Sequence, residues 1–162
     1  MSRIGDFANN NQATQQLFSD RPMQLPGPGL KPSRQLTVSS AMAFRWDSGQ
    51  TRFNLISSDR REVLHISIRA KDDVLVLNTK APDGNWGKEE RHELKPLFDT
   101  PMLPYITVTA TKTSYILSVP GNQEIIFNKR KGFMEPAVKI EYDYDENPAF
   151  SDPCYVTVPH LS

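Results

Sequence analysis

Seven side chains in the middle of this 162-residue chain stand in an order that suits one kind of chemistry. They are His65, Ser67 and Arg69, then Asn78, then Trp86, Glu89 and Arg91. On a strand, alternate side chains share a face. A strand over Glu62–Arg69 therefore turns His65, Ser67 and Arg69 one way and Leu64, Ile66 and Ile68 the other. Asn78 shares its face with Val74 and Val76, with Leu75 and Leu77 opposite. Glu89 and Arg91 share a face within reach of a charge pair. Trp86, flanked by Asn85 and Gly87 just after a turn, is not expected to be a core tryptophan. Hydroxyl groups call for donors and acceptors held in fixed geometry, and a planar guanidinium provides directional ones. The apolar C–H face of a pyranose packs flat on an indole. The row therefore suits a neutral sugar and needs no cofactor and no ionising step. Each member also has a plainer reading: an outer strand face is ordinarily solvated, a lone histidine is ordinarily a surface residue, and a lone tryptophan ordinarily packs at an interface. The case rests on all seven falling within Glu62–Arg91.

Composition agrees with a neutral ligand. The chain has 19 Lys+Arg against 19 Asp+Glu and a pI near 6.8, which argues against nucleic acid and charged membrane surfaces as partners. Hydrophobic residues make up 38% and include 15 aromatics, enough for one globular domain. No apolar run reaches the ~18 residues of a spanning helix. The single Cys154 excludes an internal disulfide, and no Cys/His spacing resembles a zinc site. Residues 1–21 are polar, rich in Asn and Gln, and lack a charged-then-apolar leader. No Asn-x-Ser/Thr sequon occurs. These features predict a cytoplasmic protein that reaches the extracellular space, if at all, by a route without a signal peptide.

The elements that must position the seven residues are strands. Thirteen prolines and eight glycines are spread along the chain and leave little room for long helices. One or two helical turns are expected around Ala13–Phe18, in a flexible N-terminal tail over residues 1–24. Leu25-Pro26-Gly27-Pro28-Gly29 is an entry turn. Short strand-like runs follow. They are Gln35–Ser39, a weaker Met42–Trp46, Thr51–Ile56, Glu62–Arg69, Val74–Thr79 and Lys88–Leu94. Tyr105–Ala110, Ser114–Val119, Glu124–Phe127, Val138–Tyr144 and Tyr155–Val158 complete the set. Pro82-Asp83-Gly84-Asn85 and Pro120-Gly121-Asn122 are turns. About eleven strands without an internal repeat predict an all-β fold, an antiparallel two-sheet β-sandwich, over residues 25–162.

The segments His65-Ile66-Ser67-Ile68-Arg69, Val76-Leu77-Asn78 and Trp86-Gly87-Lys88-Glu89-Glu90-Arg91 resemble the galectin signature, H-x-N-x-R, V-x-N and W-G-x-E-x-R, at similar spacing. The resemblance covers about residues 25–158 and is strongest in the centre. It implies a jelly-roll sandwich of a five- and a six-stranded sheet that binds β-galactosides such as lactose or N-acetyllactosamine on glycoproteins or glycolipids. It also implies a role for each residue. His65 and Arg69 would hold the axial 4-hydroxyl of galactose, and Arg69 would also reach the ring oxygen. Asn78 and Glu89 would hold the 6-hydroxyl. Trp86 would stack under the ring, and Arg91 would pair with Glu89 and reach the next sugar.

The chain departs from the pattern in three ways. Ser67 replaces Asn, Ile68 replaces a common Pro, and the Ala70–Asp73 link is short, which is closer to fungal members. The Ser67 change predicts weakened but retained binding. A shallow site is weak alone, so a homodimer or higher homo-oligomer is expected, with the first and last strands as candidate edges. Two other readings stand beside this one. Glu141-Tyr142-Asp143-Tyr144-Asp145-Glu146 fits the E-x-D-x-x-E run of laminarinase-like glycoside hydrolases, with Glu141 and Glu146 as the acids. Its plainer reading is an acidic strand end. The third is a galectin-fold interaction module that has lost sugar binding through Ser67.

Overall fold

A computed structural model of the chain describes residues 12–121 and 123–159. Twelve strands form two antiparallel six-stranded sheets. They are β1 Gln12–Leu17, β2 Met23–Gln24, β3 Gln35–Ser39, β4 Gln50–Ser57, β5 Glu62–Arg69, β6 Val74–Lys80, β7 Glu90–Glu93, β8 Tyr105–Ala110, β9 Ser114–Val119, β10 Gln123–Asn128, β11 Ala137–Tyr144 and β12 Cys154–Pro159. The front sheet runs β2-β11-β4-β5-β6-β7 and the back sheet β1-β12-β3-β8-β9-β10. Single helical turns at Ala70–Asp72 and Lys95–Phe98 link β5 to β6 and follow β7.

Alternation explains the core. Phe53, Leu55, Leu64, Ile66, Ile68, Leu75, Leu77 and Tyr142 point inward from the front sheet. Leu36, Val38, Ile106, Val108, Leu117, Phe127 and Val156 meet them from the back sheet. Phe53 stacks on Tyr142 at 4.9 Å and meets the edge of Phe150 at 5.2 Å between centroids. The polar set His65, Ser67 and Arg69 is thereby committed to the outer surface of the front sheet, because a one-residue slip would bury it.

Ten of the eleven expected strands are present, and two expectations are corrected. Met42–Trp46 is not a strand. Ser40 Oγ accepts from Met42 N at 3.1 Å and donates to Met42 O at 2.7 Å, a local bond that turns the chain away from a ladder. Phe44 then stacks on Trp46 at 4.6 Å and meets the edge of Phe98 at 4.9 Å. The expected helical turns around Ala13–Phe18 are instead β1, paired in register with β12 from Gln12↔Pro159 to Leu17↔Cys154. Its Gln-rich sequence carries no strand signal, but the unpaired edge of β12 supplies the partner. Of the N-terminal segment expected to be loose, residues 1–11 lie outside the described residues, while 12–24 contribute β1 and β2. Asn122 of the expected turn after β9 also lies outside them. The sheets therefore hold six and six strands rather than five and six. The first expected strand, Gln35–Ser39, is not an edge, since β3 lies between β12 and β8; the edge is β1. Nor is the last, since β12 lies between β1 and β3.

Candidate functional site

Register on the front sheet sorts the outward side chains into three ranks. The first runs Glu141, Asn54, His65, Asn78 across β11, β4, β5 and β6. The second runs Asp143, Arg52, Ser67, Val76, Arg91 and reaches β7. The third runs Gln50, Arg69, Val74, Glu93, with Asp145 joined to Gln50 through its backbone amide at 2.9 Å. Over these ranks lies a cleft of about 560 Å³ lined by Gln50, Arg52, His65, Arg69, Val76, Asn78, Trp86, Gly87 and Glu89. Five of the seven residues singled out from the sequence line it. Arg91 stands at its rim through Glu89. Ser67 lies in its floor with no exposed surface, as Arg69 Nε donates to its hydroxyl at 3.3 Å.

Each lining group is held. His65 Nδ1 lies 2.6 Å from Asn54 Oδ1, and a carbonyl oxygen only accepts, so Nδ1 carries the proton and Nε2 is left as an acceptor. Asn78 Oδ1 accepts from Thr79 N at 2.8 Å and Arg130 Nη1 at 2.7 Å, while Nδ2 donates to Gly87 O at 3.0 Å. One Nδ2 hydrogen therefore remains for a ligand. Arg130 also donates to Thr79 Oγ1 at 3.1 Å and to Lys88 O. Gly87 is required by this packing, because a Cβ there would stand 2.5 Å from Arg130 Nη1 and 2.8 Å from Thr79 Oγ1. Trp86 is half exposed, with 49% of its surface free. Its ring meets His65 edge-on at 4.6 Å and has Lys80 Nζ 4.9 Å from its centroid.

Glu89 joins two guanidinium groups. Its Oε1 accepts from Arg91 Nε at 3.1 Å and Nη2 at 2.9 Å, and its Oε2 accepts from Arg69 Nη2 at 3.3 Å. The Arg91 hydrogen bond, opposed by desolvation and reinforced by the charge of Arg69, holds the Glu89 carboxyl below its ordinary value of 4.5. A depressed carboxylate contributes stability above its unfolded pKa and loses it as pH falls through the folded one. The melting difference between wild type and Glu89→Gln is thus expected to stay constant from pH 7 down to about 5 and to vanish in stronger acid. It should be small, about 0.2–1 kcal/mol, for so exposed a pair. A difference that grows on acidification would refute the brace.

Asn54, Arg52, Gln50 and Arg130 were not singled out from the sequence. The alternation of Phe53 and Leu55 in β4 already turns Arg52 and Asn54 outward, so pairing β4 with β5 would have found them. Arg130 carries no such signal: it lies in a basic run fifty-two residues from Asn78.

The acidic run of β11 has another employment. Asp143 and Asp145 both pair with Arg52, the latter at 2.8 Å, and Glu146 sits in a turn with φ 60°. No group of three or more His, Cys, Asp and Glu able to hold a metal occurs among the described residues. No helix among them is long and apolar enough to cross a membrane.

The galactoside-binding lectin family matches residues 21–145. Galectin-2 of Coprinopsis cinerea is 36% identical over 131 residues, 81% of this chain and 84% of that one. Galectin-1 of the same fungus is 34% identical over 125 residues, 77% and 80% of the two chains. Among solved structures, Caenorhabditis elegans galectin LEC-6 superposes with a TM-score of 0.66 at 19% identity, covering 95% of this chain and 97% of that one. A tetrameric galectin from the ball sponge Cinachyrella gives a TM-score of 0.62 at 22% identity, covering 88% and 96%. The front-sheet cleft, the two-sheet sandwich and these matches agree, and the chain belongs to the galectins, galactoside-binding lectins that bind sugar without turning it over.

Proposed function

We propose that the cleft binds β-galactosides of the lactose and N-acetyllactosamine type, through His65, Arg69, Asn78, Trp86, Glu89 and Arg91, with Ser67 in its floor. The observation that carries this reading is the half-exposed indole of Trp86 beside a set of fixed, partly unspent hydrogen-bonding groups. An acceptor at His65 Nε2, donors on Arg69 and Asn78, and the Glu89 carboxylate surround one cleft, which matches the alternating demands of a sugar's hydroxyls. Ser67 is buried, so the amide found there in the family is missing from the contact surface, and the affinity is correspondingly modest. A range from micromolar to millimolar, about −8 to −4 kcal/mol, suits such a site.

Sites of this strength act on glycoproteins or glycolipids through multivalency. The protein would serve as a homodimer or higher homo-oligomer that cross-links glycans; the sponge galectin of the same fold is tetrameric. The edges open to pairing are β1 and β10 of the back sheet and β2 and β7 of the front sheet. Its place of action is proposed to be the cytoplasm and the cell exterior.

A glycan array with titration of lactose tests the binding reading. Saturable binding in this range, lost in Arg69→Ala, is expected; no response to any galactose-terminated glycan would overturn it. Light scattering tests valency: a mass that is a multiple of 18.4 kDa is expected, and the monomer mass at working concentration refutes the assembly.

A further inference from the structure

Alternation along β5 would turn Glu62 inward with Leu64, but the strand does not keep its phase there. Against β4 the register passes from Leu55↔Leu64 to Ile56↔Glu62, and against β6 from His65↔Asn78 to Glu62↔Lys80. β5 thus carries one extra residue between Glu62 and His65. This bulge buries Val63 and Leu64 in succession and brings Glu62 round beside His65. Glu62 Oε1 lies 3.5 Å from His65 Nδ1. Its Oε2 lies 3.8 Å from Lys80 Nζ, whose ammonium stands 4.9 Å from the centroid of the Trp86 ring. The Glu62 side chain is only 17% exposed, and Oε1 is shut off from solvent with no hydrogen-bond partner. A buried carboxylate oxygen left in that state is costly, and what it faces is the ring nitrogen of a cleft histidine.

We infer that Glu62 is a positioning residue of the cleft, the group that fixes the tautomer of His65. The 2.6 Å bond between His65 Nδ1 and Asn54 Oδ1 does not fix it alone. An amide is two-ended: turned over, Asn54 would offer Nδ2, and His65 would accept at Nδ1 and carry its proton on Nε2. A carboxylate only accepts. With Glu62 Oε1 beside the same nitrogen, the turned-over pair would set an unprotonated Nδ1 against a negative charge. Glu62 therefore selects Nδ1–H, which in turn keeps the Asn54 oxygen toward the ring. Nε2 is left in the cleft as an acceptor for a sugar hydroxyl. Leucine at position 62 would leave the choice to Asn54, and glutamine, itself two-ended, would allow both tautomers. Lys80 answers the charge at the other oxygen, so one carboxylate ties the ammonium over Trp86 to the imidazole at its edge.

The role in binding rests on the β-galactoside reading; the tautomer itself is read without sugar. Proton–nitrogen correlation spectra of the imidazole rings are recorded on full-length protein at about pH 8, where an ordinary imidazole is neutral. Glu62→Gln keeps the shape of the side chain and removes its charge. Asn54→Ala removes the amide and keeps the carboxylate. Wild type and Asn54→Ala are expected to show His65 protonated at Nδ1 and bare at Nε2, whereas Glu62→Gln shows the Nε2–H form as well. Lactose affinity of Glu62→Gln should fall about three- to tenfold, the net worth of one hydrogen bond. Wild-type His65 protonated on Nε2 would overturn the inference. So would a single Nδ1–H tautomer or unchanged lactose affinity in Glu62→Gln. An Nε2–H form in Asn54→Ala would give the role to Asn54 and overturn it too. Failure of wild type to bind lactose would overturn the galactoside reading, while the spectra of the free protein still decide what Glu62 does. Should one variant fail to fold, the other carries the test.

Discussion

Trp86→Ala is expected to lower affinity for lactose by about thirtyfold or more, which places a site of this strength beyond ordinary titration, while the melting temperature stays near wild type. Buried aromatic anchors are worth about 2 kcal/mol or more when truncated to alanine. Trp86 gains that burial only when a ligand covers it. Half its surface is free without ligand, so removal takes little from the fold. The loss has a second part: the indole edge lies against His65 at 4.6 Å between centroids, and its removal loosens the ring whose Nε2 is the acceptor. Trp86→Phe should recover part of the affinity, since a smaller ring still offers an apolar face. Calorimetric titration against lactose, with thermal melts alongside, checks both halves. Near-wild-type affinity in Trp86→Ala would remove Trp86 from the site.

The second large effect belongs to a residue with no side chain. Gly87→Ala would put a methyl group 2.5 Å from Arg130 Nη1, 2.8 Å from Thr79 Oγ1 and 3.1 Å from Asn78 Oδ1. Arg130 cannot step aside cheaply. Its guanidinium is bound to Asn78, Thr79 and Lys88 and lies over the Phe127 ring at 4.9 Å. Either Arg130 leaves, taking one of the two donors from the buried Asn78 carbonyl, or the Trp86–Glu89 segment moves out. Overpacking of this kind costs about 1–3 kcal/mol of stability. Both routes displace Asn78 or Trp86 from the cleft, and lactose affinity is expected to fall tenfold or more. A chemical melt and the same titration read the two losses. An unperturbed Gly87→Ala would show that the strut from Arg130 does not position the site.

The two effects differ in how far they could be foreseen. The exposure of Trp86 follows from its place after a turn and between Asn85 and Gly87. The need for glycine at position 87 does not, because its φ is ordinary and its neighbours in sequence offer no obstacle. What forbids a Cβ is an arginine brought in from beyond β10. Ser67 illustrates the same limit. Alternation turns it to the outer face of the front sheet, yet it has no exposed surface there, because Arg69 beside it donates to its hydroxyl.

From residue order alone, the two-residue period of β5 and β6 separated Leu64, Ile66, Ile68, Leu75 and Leu77 from His65, Ser67, Arg69 and Asn78. That separation was enough to expect a β-sandwich with a polar outer face, and the resemblance of the motifs carrying Trp86, Glu89 and Arg91 to the galectin signature pointed to the family. These are local properties, since side-chain period and short motifs are decided within a few residues. The tertiary structure alone decided that residues 12–17 are a strand, that Met42–Trp46 is not, that Arg52 spends its donors on Asp143 and Asp145, and that Arg130 props Asn78. Each of these is a pairing across tens of residues or a local hydroxyl bond that displaces one. Sheet order and register determine which distant side chains become neighbours, and that choice is made by burial of the whole core rather than by any segment's own sequence.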